Sequence, residues 1–188
     1  KPPQALIPHL AKEHVKQFGS GFDVEYDRVV WEQKEQDFLK LLDLKKIIDL
    51  DLSDEELEKR IDGIEQTLLS THLFQRLDNS NIPVTILHEG TTPFRHTINV
   101  LRKLKTKGLS QMEVRALRWS AIWHDVGKIF GATLPTAVYH SQLSAFASTD
   151  FLHRYCPELD AQLIQKILYA IQYHHTSEGY RSWLRRPE

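Results

Sequence analysis

Along most of this chain, hydrophobic residues return every three or four positions, the spacing that gathers them on one side of an α-helix. From Trp31 to Leu50 the run Phe38, Leu41, Leu42, Leu44, Ile47 and Ile48 predicts a first helix. Ser53-Asp54-Glu55-Glu56, with Ser followed three residues later by Glu, is a capping box. It opens a helix whose apolar stripe is Leu57, Ile61, Ile64 and Leu68. Asn79-Ser80-Asn81 and Pro83 break that pattern, and Val84-Thr85-Ile86-Leu87 reads as extended. Thr92-Pro93 reads as an N-cap and first helical residue, starting a helix through Leu104 that Gly108 closes. Further helices are expected over roughly 111–125, 141–155 and 158–175. Residues 1–30, with Pro2, Pro3, Pro8, Gly19 and Gly21, show little periodicity and read as an irregular arm with at most a short helix. There is no internal repeat, no low-complexity tract and no credible sheet. The expectation is all-α: an N-terminal extension over 1–88, irregular arm plus helices, then a helical bundle over 89–188.

Composition narrows the class. The 188 residues are 41% hydrophobic, enough for a packed core and the size of one domain with or without an extra lobe. The single cysteine, Cys156, excludes an intrachain disulfide framework and a Cys-rich zinc finger. No apolar run approaches the ~20 residues that span a bilayer, and no N-terminal stretch has a signal-peptide layout. A soluble, cytoplasmic protein is expected, without membrane partners. The start at Lys1 rather than Met reads as a trimmed chain. The net charge of −1 hides an asymmetry. Residues 23–65 hold 15 acids against 7 bases, whereas residues 95–128 hold 8 bases against 2 acids. The basic stretch suits an anionic substrate, and the acidic helices of 31–77 suit docking to a partner or to another domain of a longer chain. No Walker-type loop, G-x-G-x-x-G or G-x-S-x-G elbow is present, so kinase, dinucleotide-enzyme and α/β-hydrolase chemistry are set aside.

Histidine carries the chemistry. There are ten, six of them between His96 and His175. The helix before His124 has the stripe Val114, Leu117, Ala121, and the next positions on that face are His124 and Asp125. Gly127 follows, so the helix can end or bend there and let both side chains face one centre. The last helix repeats the device: Ile164, Ile167, Leu168 and Ile171 run into His174-His175. His96 edges the apolar arc of its helix, and His140 is expected in a loop just before a helix from Ser141. Taken singly, each imidazole reads best as a hydrogen-bonded core histidine. Together they supply nitrogen and carboxylate donors that suit zinc, iron, manganese or nickel. His9, His14, His72 and His88 fit no such pattern, and His153 reads as helix surface. Trp119, Trp123 and Tyr173 read as core in preference to base-stacking rings.

The series His96 … His124-Asp125-Val126-Gly127-Lys128 … His140 … His174-His175 resembles the HD superfamily of metal-dependent phosphohydrolases, over about residues 92–178. The resemblance implies an all-helical bundle with a site for one or two divalent ions (Mn, Fe, Ni, Co or Zn). It implies that His96, His124 and Asp125 bind one ion. Asp125 then bridges to a second, held also by His140 and by His174 or His175. Lys128 contacts phosphate or braces the site. One departure stands: the family's further Asp on a later helix has no counterpart after His175, where only Glu178 and Glu188 carry carboxylates.

The expected activity is hydrolysis of a nucleotide or nucleic-acid phosphate ester, as a phosphomonoesterase or phosphodiesterase. Asp125 and Lys128 are the catalytic candidates, with Arg95 and Lys128 offsetting phosphate charge. The competing expectation is a nucleotide- or RNA-binding module that keeps the histidines with little turnover.

Overall fold

The computed structural model describes residues 35–79, 82, 91–130, 136–156, 159–172 and 174. Among them every regular element is helical and none is a strand. The helices are α1 (Glu35–Asp49), α2 (Asp54–Glu58), α3 (Ile61–Leu69), α4 (His72–Leu77), α5 (Pro93–Lys103) and α6 (Gln111–Trp123). A 3-10 helix (Val126–Phe130) follows, then α7 (Thr136–Tyr155) and α8 (Ala161–Gln172). The expected all-α class is what the chain adopts. None of the described helices is long and apolar enough to cross a membrane.

The caps foreseen at Ser53 and Thr92 form. Ser53 and Glu56 close a capping box at α2, and a further one, Ser110 with Glu113, opens α6. Thr92 caps α5, accepting the Arg95 N–H, with Pro93 as first helical residue. Each satisfies backbone donors that a helix start leaves orphaned.

Three expectations need correction. The stripe Leu57, Ile61, Ile64 and Leu68 is buried throughout, but it belongs to two helices broken at Lys59 and Arg60. Gly108 does not close α5, which ends at Lys103; it sits in the following turn at φ +84°, a backbone shape open to glycine without strain. His140 lies inside α7, which starts at Thr136 rather than Ser141. The arm over 1–30, the extended stretch 84–87, and His9, His14 and His88 lie outside the described residues.

Helix α6 is the axis of the bundle. It contacts α1, α5, α7 and α8, so all residues from Ala116 to Trp123 are buried, not one face alone. Trp119 and Trp123 are core, as expected, and pack with Phe151 of α7. Phe74 of α4 bridges Trp123 to Phe94 of α5. One hydrophobic cluster runs from Phe38 on α1 to Ile171 on α8, so the helices before and after residue 88 share a core. At the far end of α6 the 3-10 helix packs on α7. Gly127 makes that approach possible: a Cβ there would lie 2.2 Å from the His140 carbonyl oxygen.

Candidate metal centre

The site forms where α6 stops. His124 takes the C-cap of α6 with backbone still helical, and the chain then tightens into the 3-10 helix from Val126. In a regular helix, neighbouring side chains diverge by about 100°; here His124 and Asp125 are both buried, and His124 Nε2 lies 3.6 Å from Asp125 Oδ2. Helix α5 brings His96, whose ring stacks edge-on against His124 at 5.3 Å between centroids. Helix α7 brings His140, with Nε2 3.2 Å from Asp125 Oδ1. Just beyond α8, His174 places Nε2 3.4 Å from His140 Nε2 and 3.9 Å from Asp125 Oδ1. Four imidazoles distant in sequence thus gather on one buried carboxylate.

They form two donor sets that share Asp125. His96, His124 and Asp125 offer one atom each within 4.8 Å of one another, and Asp125, His140 and His174 do the same. Two donors bound to one transition metal at about 2.1 Å each cannot be more than about 4.2 Å apart. The separations among His124, Asp125, His140 and His174 that lie between 3.2 and 3.9 Å fall inside that limit. Nitrogen and oxygen donors without sulfur fit a borderline divalent ion. The residues present therefore suit a metal, and no feature of the geometry selects which one.

The orientation of two rings strengthens the fit. His124 Nδ1 lies 2.7 Å from the Ala121 carbonyl, and His174 Nδ1 lies 2.5 Å from the Ile171 carbonyl. A carbonyl oxygen only accepts, so Nδ1 carries the hydrogen in each ring. In the neutral ring Nε2 then keeps its lone pair, directed at Asp125, the orientation that carbonyl partners impose on metal-binding histidines.

Electrostatics keep the carboxylate ionised. Burial pushes Asp125 up most strongly of any single cause, but the charge of His124, the hydrogen bond from His140 and the Lys128 ammonium together hold it well below the usual carboxylate range. Lys128 is itself buried, with Nζ 3.0 Å from Asp125 Oδ2.

One candidate stands apart from this set. Arg95 is exposed on α5 and ion-pairs with Glu65 of α3. His175, with Tyr173 and Glu178, lies outside the described residues. His72 stays apart, its backbone N–H and ring Nδ1 both on buried Asp37 of α1, and His153 is half-buried on α7. Sequence reasoning gave no role to Ser144, whose Oγ accepts the Gly127 N–H at 2.7 Å. Its signal was position: four residues after His140, it shares that face of α7. Comparison with protein-family models, with curated proteins and with solved structures yields no match to this chain.

Proposed function

We propose that this chain is a metal-dependent phosphohydrolase acting on a nucleotide or nucleic-acid phosphate ester, in the manner of the HD superfamily that its histidine series resembles. The observation that carries the reading is the shared carboxylate: Asp125 lies between two histidine sets, and the carbonyl-held rings of His124 and His174 aim Nε2 toward it. When bound, a divalent ion would supply a water acidic enough to attack at neutral pH and positive charge for the phosphoryl oxygens.

The chain's own residues have the remaining tasks. Asp125, kept ionised among His124, His140 and Lys128, provides the negative charge that attracts the ion. His96 and His124 orient one side of the site, and His140 and His174 the other. Lys128 balances charge where the phosphate would sit. An imidazole not engaged by metal can protonate the leaving oxygen. The lone buried cysteine accords with a cytoplasmic setting.

The test is p-nitrophenol release from p-nitrophenyl phosphate and bis(p-nitrophenyl) phosphate with Mn²⁺, Ni²⁺ or Co²⁺ added. Metal-dependent release that disappears in Asp125→Ala is expected; release that survives the substitution removes this site from consideration.

A second reading is favoured by the engagement of both expected phosphate cations, Arg95 by Glu65 and Lys128 by Asp125. On that reading the chain binds a nucleotide or RNA around a structural metal. Nucleotide affinity without product would mark it.

A further inference from the structure

We propose that Ser144 is a positioning residue of the metal centre, fixing the distance between Asp125 and His140; this rests on the metal-centre reading above. Asp125 and His140 come from two different elements, the turn after α6 and the helix α7. The distance between them is set by how that turn seats on α7. The seat is tight: a Cβ on Gly127 would meet the His140 carbonyl oxygen at 2.2 Å and the Ser144 nitrogen at 2.9 Å. Gly127 is the second residue of the 3-10 helix, where a backbone N–H has no partner within its own helix. It is buried, so that donor must be satisfied from elsewhere. Ser144 Oγ does so at 2.7 Å.

One hydrogen bond thus ties the turn carrying Asp125 to the helix carrying His140. The consequence is selective. The set Asp125, His140 and His174 straddles the seam between turn and α7, whereas His96, His124 and Asp125 has no member on α7. Losing the Ser144 oxygen should loosen the first set and spare the second.

Ser148 provides the control. It is equally buried on the same helix, but its Oγ accepts the Trp119 indole N–H at 3.1 Å, away from the turn. The experiment titrates the metal-free protein with Co²⁺, read by visible absorption and calorimetry, for wild type, Ser144→Ala, Ser148→Ala and His140→Ala. Circular dichroism melts verify that each variant is folded. The ion lost in His140→Ala is expected to bind roughly tenfold more weakly in Ser144→Ala, the lower end of what outer partners of metal ligands contribute. The other ion keeps its affinity, and Ser148→Ala changes neither. Equal weakening in both serine variants, or none in Ser144→Ala, overturns the positioning role. A wild-type chain that takes up no Co²⁺ overturns the metal-centre reading instead.

Discussion

Two carboxylates of this bundle, half-buried Asp54 and buried Asp125, are held by different sets of neighbours. Asp54, at the start of α2, receives the Thr106 hydroxyl at 2.6 Å, the Thr106 N–H at 3.0 Å and Arg118 Nη2 at 3.3 Å. All three donate. Burial pushes the Asp54 carboxyl up, but these hydrogen bonds and the Arg118 charge outweigh it and leave its pKa lowered. Asp125 is also lowered, and more strongly. Yet two of its neighbours, His124 and His174, have committed their Nδ1 hydrogens to carbonyls. In their neutral form they present lone pairs to a carboxylate that is itself all lone pairs. Asp54 is a closed joint, binding α2 to the loop ahead of α6. Asp125 also receives Lys128 Nζ and a hydrogen bond from His140, but neutral His124 and His174 turn Nε2 lone pairs toward it, a mixed set that a cation completes. A lowered pKa is common to both; Asp125 is the more deeply buried, and of the two only Asp125 has ring nitrogens turned toward it whose hydrogens lie elsewhere.

The largest effect expected from this contrast is at the open site. Asp125→Asn keeps the shape but removes the negative charge of the shared ligand, and elemental analysis should find no bound transition metal. His124→Ala and His140→Ala should each lose a different ion and keep the other. Full metal content in Asp125→Asn would erase the distinction between the two carboxylates.

At the closed joint the effect is on stability alone. Arg118 is fully buried, and its Nε and Nη1 find no hydrogen-bond partner among the described residues. Asp54→Ala leaves that guanidinium without its counter-ion, a loss of about 3 kcal/mol. Arg118→Met replaces a poorly satisfied buried cation with an apolar chain of similar length, and is expected to be within about 1 kcal/mol of wild type or more stable. Urea unfolding measures both, and metal content should not move in either. If Arg118→Met costs as much as Asp54→Ala, the joint is a balanced ion pair and not an incompletely satisfied one.

How much of this was readable beforehand depends on what the hydrophobic spacing can encode. The burial of His124 and His174 was legible because two apolar stripes run into them, and burying those stripes buries the rings; His96 and His140 lie on no such stripe. The break at Lys59 and Arg60 was not legible. Leu57 and Ile61 are four apart, and a two-residue turn that returns both to the core leaves the spacing identical to that of one helix. The start of α7, at Thr136 rather than Ser141, was not legible either. The burial of Arg118 and Ser120 follows from α6 being packed on several sides, which a one-face stripe does not express. The Asp54–Thr106–Arg118 joint links residues 52 and 64 positions apart, with no periodic signal to connect them. Lys128 was read as contacting phosphate or bracing the site; its ammonium lies on Asp125, the bracing alternative, because a buried cation needs its counter-ion close by.

The smallest expected effect probes the closed joint through acid. Thr106→Val keeps the branched shape and removes one donor to Asp54, a loss of about 1 kcal/mol at neutral pH. Asp54 has a folded pKa below its unfolded value of about 3.9. The stability it contributes is therefore full above that unfolded value and is lost as pH falls through the folded one. The Thr106 hydroxyl is part of what lowers the folded pKa, so its contribution follows the same course. Wild type and Thr106→Val should differ by a constant amount from pH 7 down to about pH 5, and the difference should narrow as pH falls below the usual carboxylate range. Every other carboxylate, Asp125 included, is common to both chains and cancels in the difference. Urea midpoints at pH 7, 5 and 3 read it directly. A gap unchanged at pH 3 would mean that Thr106 serves Asp54 equally well protonated, and that the joint is held by shape and not by the charge of the group it encloses.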